Sequence, residues 1–188
     1  LGTPALALAP LDENGIYVLE LSSYQLDLVR STRFNVSVLL NITPDHIDRH
    51  GDMEGYIAAK KHIFDRQQAG DVAVIAVDDG HTKKVASYQL SVTSTLVKIS
   101  AHHELQDGIY VKDGILYDHT GNWQLVTGNL SSITTLTGRH NWQNAAAAYA
   151  AAHACGVTPD VIYQAMQSFD GLRHRLQQVA SLHGVRFI

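Results

Sequence analysis

Short, nearly continuous apolar runs alternate with polar stretches along the first half of the chain. Ile16 to Leu21, Val36 to Ile42 and Asp71 to Val77 are brief and rich in β-branched residues, the pattern of strands buried on both faces of a parallel sheet. Between the first two, residues 22–33 supply a helical or irregular crossover. Thr43-Pro44-Asp45 reads as an N-cap, a proline at the first helical position and an acid in the first turn. Residues 53–66 predict a helix with Tyr56, Ile57, Ile63 and Phe64 on one stripe, and Asp78-Asp79-Gly80 predicts a turn.

The middle of the chain changes character. Thr93 to Ser100, Gly108 to Tyr117 and Trp123 to Thr127 alternate or nearly alternate, with turns at Lys112-Asp113-Gly114 and His119-Thr120-Gly121-Asn122. That pattern predicts a meander of short strands over about 93–127, forming a small antiparallel side sheet. Helical grammar returns in the alanine-rich run Asn141 to Cys155, closed by Gly156. Thr158-Pro159-Asp160 repeats the cap, and Val161, Ile162, Ala165, Met166 and Phe169 make a helical stripe. Residues 179–188 predict a hairpin or strand around Gly184. The fold class is therefore α/β, a mostly parallel sheet flanked by helices with a small antiparallel side sheet.

Composition narrows this picture. A length of 188 residues makes one domain the default. With 45% hydrophobic and 17% charged residues, the chain has an ordinary globular balance. A net charge of −4 without a basic stripe argues against a nucleic-acid partner. No apolar run approaches the ~18 residues of a membrane span, and the start carries no signal-peptide pattern. The single Cys155 cannot form an internal disulfide, which fits a reducing cytoplasm. The chain starts at Leu1 and stops at Ile188 inside a predicted strand, so it is expected to be part of something larger.

The residues able to carry chemistry cluster at strand ends. Glu20 follows Ile16-Tyr-Val-Leu19, and at a sheet's carboxyl edge it is either a functional carboxylate or one satisfied by an amide or water. Ser22, Ser23 and Gln25 beside it can donate to a ligand or simply be solvated. His46 lies between Asp45 and Asp48; an imidazole near carboxylates can bind a divalent cation or orient a phosphate, while Asp45 is equally explained as a first-turn acid. Lys60 falls on the inward stripe of helix 53–66, where it must be paired, neutralised or modified, or else snorkel to water. Lys61 points away, within i,i+4 reach of Asp65. Asn141 and Asn144 share a helix face and can read a base or ribose, with capping as the competing role for Asn141. His174 and Arg175 follow Gly171 on a loop where an arginine can meet phosphate or stay on the surface. No P-loop, Gly-x-Gly-x-x-Gly or Cys/His zinc spacing occurs.

Taken together, Glu20-Leu-Ser-Ser-Tyr-Gln-Leu26, Asn41-Ile-Thr-Pro-Asp-His-Ile-Asp-Arg49, Tyr56-Ile-Ala-Ala-Lys60, Gly138-Arg-His-Asn-Trp-Gln-Asn144 and Phe169-Asp-Gly-Leu-Arg-His-Arg175 resemble the Mur ligase family. The five motifs run in family order over nearly the whole chain. The resemblance implies that residues 1–188 form a P-loop-type central ATP-binding domain. Within the family, the Glu-Leu-Ser-Ser-aromatic-Gln-Leu form is similar to the branch that adds D-glutamate to UDP-N-acetylmuramoyl-L-alanine in peptidoglycan synthesis. It implies ATP and Mg2+, with Glu20, His46 and a carbamylated Lys60 as metal ligands and catalytic groups, and Asp45 orienting His46. Ser22, Ser23 and Gln25 lie near the muramoyl substrate, Asn141 and Asn144 face adenine, and His174 and Arg175 face the phosphates on the same implication. No obligate protein partner is implied. The family's phosphate loop is expected before Leu1, and the uridine-binding and D-glutamate-binding domains are expected outside this stretch. The polypeptide alone is therefore expected to be inactive, with exposed sheet edges that self-associate. Two other readings stand beside this one: a nucleotide- or metal-binding module without catalysis, and a metal-dependent hydrolase built on Glu20, Asp45 and His46.

Overall fold

The computed structural model describes residues 3, 4, 7–89, 94–121, 125–172 and 179–187. Six strands form one sheet in the order β1-β2-β3-β4-β5-β6: β1 Val36–Leu39, β2 Val72–Ala76, β3 Thr95–Ser100, β4 Ile109–Lys112, β5 Ile115–Asp118 and β6 Leu125–Asn129. β1 through β4 pair in parallel, with Leu39 opposite Ile75 and Val74 opposite Val97. β4, β5 and β6 pair antiparallel. A separate hairpin joins β7 Ala180–Leu182 and β8 Val185–Phe187.

Side chains alternate through β2 and bind helices to both faces. Ala73 and Ile75 join Leu39, Tyr56, Phe64, Val85 and Ala86 on one face. That face is covered by α3 Met53–Lys61 and α4 Gly80–Gln89. Val74 and Ala76 turn the other way, toward Ile99, Leu116, Leu130, Tyr149 and Ile162. There α5 Arg139–Ala154 crosses β1 to β4, with α6 Pro159–Gln167 packed against it. The small alanines of α5 let its backbone lie close to the sheet: Ala145, Ala146, Ala147 and Ala150 are all buried. Each large side chain buried in this way contributes about 1.5–3 kcal/mol.

Glycine is required at two close approaches. Asp113 and Gly114, with φ of 51° and 77°, make the two-residue turn between β4 and β5, and such turns need φ > 0 at both positions. A Cβ on Gly114 would also overlap the Ser131 hydroxyl. At Gly128 in β6, a Cβ would stand 2.2 Å from the Tyr163 ring, so its absence lets α6 close on the sheet.

Several elements differ from the sequence-based expectation. Ile16 to Leu21 is not a strand: Ile16, Tyr17, Val18 and Leu19 are 58%, 48%, 92% and 41% exposed and pair with no described strand. An apolar run becomes a strand only where an edge accepts its backbone, and periodicity does not report the edge. The crossover after it is a single turn, α1 Ser23–Leu26. Thr43-Pro44-Asp45 caps nothing, because the next helix, α2 Ile47–His50, begins one residue beyond His46, which sits at φ 52°. The helix predicted to residue 66 ends at Lys61, capped at its start by the Asp52 carboxylate on the Gly55 amide.

Asp78-Asp79-Gly80 leads straight into α4, which the sequence reading omitted. Asp79 Oδ1 accepts from the amides of His81 and Thr82 at 2.8 Å, a capping arrangement. The predicted side sheet over 93–127 is not separate: β3 pairs in parallel with β2, and only β4 to β6 are antiparallel, all in the one sheet. Thr93 and Trp123 lie outside the described residues. Lys61 does not pair with Asp65; its ammonium stands over the Tyr88 ring at 5.1 Å, and Asp65 bonds His62. Thr158 caps α6 without a side-chain bond.

Candidate functional site

Three of the motif segments meet at one corner of the sheet. α1 and α2 both pack on α3, and α3 itself lies against the face containing Leu39 and Ile75. Lys60 occupies the last turn of α3 and lines a pocket of about 230 Å³ with Leu21, Leu40, Asn41 and Ile63. It therefore sits between the end of β1 and the residue after Glu20. Its ammonium lies 5.1 Å from the Tyr56 ring centroid, a cation–π distance that offsets part of its desolvation.

His46 is held from two sides. Its Nε2 lies 3.4 Å from Asp45 Oδ2, and its backbone amide donates to Asp45 Oδ1 at 2.9 Å. Its Nδ1 lies 3.5 Å from the Tyr24 hydroxyl, with the two rings edge to face at 5.0 Å. The left-handed backbone at His46 turns the chain sharply between Asp45 and α2. Tyr24 thus joins the first motif segment to the second. Glu20 is exposed and has no hydrogen bond or ion pair among the described contacts.

Ser22 and Gln25 bond each other. Ser22 Oγ accepts from the Gln25 amide at 3.3 Å, and Gln25 Oε1 accepts from the Ser22 amide at 2.8 Å, a capping box around α1. Ser23 is buried and reaches His50 Nε2 at 3.0 Å. Sequence reasoning missed Tyr24, His50 and Tyr56 as members of this corner. The available signal was the place of Tyr24 and Tyr56 inside the quoted motifs; His50 lies just past the end of one.

The asparagine pair lies elsewhere, on α5. Gly138, not Asn141, is the N-cap, at φ 96°. Asn141 Nδ2 donates to the Thr137 carbonyl at 2.9 Å, leaving its side-chain oxygen for another donor. Asn144 is exposed at the rim of an apolar cleft of about 400 Å³ between α5 and α6. Gln143, on another face of α5, donates to Asp78 at 2.6 Å, while Asp78 also accepts from Ser100 and the Ala101 amide. That network fixes the start of α5 against the ends of β2 and β3. His174 and Arg175 lie outside the described residues.

Among the described residues there is no group of three or more His, Cys, Asp or Glu able to hold a metal ion. A protein-built cage is therefore absent among them. The exposed Glu20 carboxylate is an oxygen donor of the kind magnesium takes alongside waters and substrate phosphates, while the His46 imidazole, its nitrogens 3.4 Å from Asp45 and 3.5 Å from the Tyr24 hydroxyl, is the softer donor. The pocket beside Lys60 exceeds the volume of several waters, leaving room for a small added group. No helix among the described residues is long and apolar enough to cross a membrane.

The family described as the Mur ligase middle domain matches residues 1–152. The chain is 45% identical over 189 residues to the UDP-N-acetylmuramoylalanine–D-glutamate ligase of Phenylobacterium zucineum, covering all of this chain and 40% of that one. Equivalent ligases of Caulobacter sp. (strain K31) and Rhodospirillum rubrum are 46% and 48% identical over the same coverage. The chain thus spans about 40% of the length of these curated relatives. Among solved structures, MurF from Acinetobacter baumannii superposes with a TM-score of 0.59 at 21% identity, over 85% of this chain and 33% of that one. That likeness speaks to the fold.

Proposed function

Because this chain belongs to the Mur ligase family through its middle domain, we propose that residues 1–188 are the ATP-handling domain of a cytoplasmic ligase joining D-glutamate to UDP-N-acetylmuramoyl-L-alanine. The observation that carries this reading is identity of 44–48% across the whole chain to relatives named for that activity. The meeting of α1, α2 and α3 at one corner supports the reading by bringing three of the motif segments together.

In this reaction the γ-phosphoryl group of ATP passes to the muramoyl-L-alanine carboxylate and ADP leaves. The D-glutamate amine then attacks the acyl carbon, loses a proton, and phosphate departs as the amide forms. Glu20 and His46 would hold magnesium, with Lys60 adding a ligand in its carbamylated form; such an ion would supply charge neutralisation for the phosphates and the acyl group. Asp45 fixes the His46 ring, in keeping with their 3.4 Å contact. Carbamylation would also turn an inward cation into an anion that a neighbouring metal ion could compensate. Ser22, Ser23 and Gln25 border the muramoyl substrate, Ser22 and Gln25 from the exposed side of α1. Asn141 and Asn144 face adenine, using the free Asn141 oxygen and the exposed Asn144 amide. His174 and Arg175 complete the set at the phosphates.

The test uses the intact polypeptide carrying this sequence, supplied with ATP, magnesium and UDP-N-acetylmuramoyl-L-alanine. Phosphate release should depend on D-glutamate and should stop with Glu20→Ala. Release indifferent to D-glutamate, or no release at all, would refute the ligase reading and favour a nucleotide-binding module.

A further inference from the structure

His50 is half-buried as a whole residue, with its ring at the centre of the corner, yet the reaction described above gives it no role. Its side chain is 4% exposed, and both ring nitrogens face polar partners. Nδ1 lies 3.6 Å from Asp27 Oδ2, and Nε2 lies 3.0 Å from Ser23 Oγ. The Ser23 hydroxyl is within hydrogen-bonding distance of Nε2, while the Asp27 carboxylate stands beyond hydrogen-bond length from Nδ1. The imidazole therefore ties α2 to α1.

Its faces are occupied too. The Tyr24 ring lies 5.8 Å away at 64°, and the Tyr56 ring 5.5 Å away at 37°. Those two tyrosines are the ones that touch the candidate catalytic side chains: Tyr24 contacts His46, and Tyr56 underlies the Lys60 ammonium. His50 is thus the shared neighbour of two rings from different segments, one beside each candidate group. Helices α1 and α2 have only four residues each. Segments that short have almost no helical stability of their own, so their placement on α3 rests on side-chain contacts.

We propose that His50 is a positioning residue that sets the spacing of His46 and Lys60 through the Tyr24 and Tyr56 rings. This inference rests on the ligase reading for its kinetic consequence, but not for its geometry. Residues that orient ligand-bearing side chains from behind typically govern about 10–100-fold of affinity or activity. Truncating His50 removes the shared support while leaving His46, Lys60 and both tyrosines in the chain.

Two measurements on His50→Ala and His50→Gln separate the possibilities. In the intact polypeptide carrying this sequence, NMR should show the Lys60 ε-methylene shifted upfield by the Tyr56 ring and the His46 ring perturbed by Tyr24. His50→Ala should abolish both shifts with the far-UV circular dichroism spectrum retained. His50→Gln, whose side-chain amide can still meet Ser23 but which lacks the ring, should lose most of each shift, and its retention of both would overturn the proposal even if the alanine variant fails to fold. In the intact enzyme, His50→Ala should lower kcat about 10–100-fold and raise the magnesium requirement, with KM for ATP little changed. Retained Lys60 and His46 shifts in His50→Ala would overturn the proposal, as would an unchanged kcat in an active enzyme. If the intact wild-type protein shows no ligase activity while the shifts collapse as expected, the functional reading fails and the positioning geometry stands.

Discussion

At β2 the two faces of the sheet are built alike, with Ala73 and Ile75 on one and Val74 and Ala76 on the other. What covers them is different. The α5–α6 side carries a broad apolar core in which Ile99, Leu116 and Leu130 are at most 1% exposed. The corner formed by α1, α2 and the end of α3 is made of four-residue helices and exposed polar side chains, with tyrosine and histidine rings between them. Stability resides in the first region, where packing is dense and local, and the candidate chemistry in the second. A corner held by a handful of ring contacts and hydrogen bonds is sensitive to single side chains in a way the core is not. The same division explains how the corner keeps Glu20 and His46 accessible while α3 remains anchored through Tyr56 and Ala59.

The comparison can be broken first from the core side. Leu130→Ala should destabilise the chain by about 2–5 kcal/mol, read as a lower midpoint in urea denaturation, because Leu130 is fully buried beside α5. A loss no larger than that of a surface substitution would place stability elsewhere. From the corner side, Lys60→Ala should lower ligase turnover in the intact polypeptide by about 100-fold, with a small effect on the urea midpoint. Formate or acetate should restore part of that activity by replacing the added carboxylate. Full activity in the unsupplemented variant would remove Lys60 from the mechanism.

A smaller effect sharpens the boundary of the core. Asp71, 1% exposed, accepts from Arg33 Nε and Nη2 at 2.7 and 2.8 Å and from the Gln68 amide at 2.7 Å. The Arg33 guanidinium holds the Asp71 carboxyl below its usual value of 3.8. A depressed acid stabilises the fold at pH above that usual value, and the contribution is lost as pH falls through the lower folded value. Melting temperatures of wild type and Asp71→Asn should therefore differ at neutral pH and converge in strong acid. A gap that stays constant down to pH 2 would rule out this linkage.

Some of this architecture could be read directly. The β-branched runs at Val36 and Asp71 became parallel strands, the Lys112-Asp113-Gly114 turn became a hairpin, and the alanine-rich run became a long helix over the sheet. Helix α4 was missed because Gly80 and the following lysines obscure its apolar positions, Val85 and Ala86. At the corner, the types and spacing of His46 and Lys60 flagged them, and the structure gives both aromatic neighbours. His50 was invisible because a histidine in a polar segment carries no periodic signal of burial.

Periodicity and residue chemistry alone determined the α/β class and the long helix, since each depends on sidedness within a few turns of chain. Only the tertiary structure decided that β3 runs parallel to β2, that Ile16 to Leu19 remain outside the sheet, and that His50 lies between Tyr24 and Tyr56. Those outcomes depend on which edge or ring is present at long sequence separation. A side chain's own neighbourhood in the sequence records how buried it prefers to be, not what it is buried against.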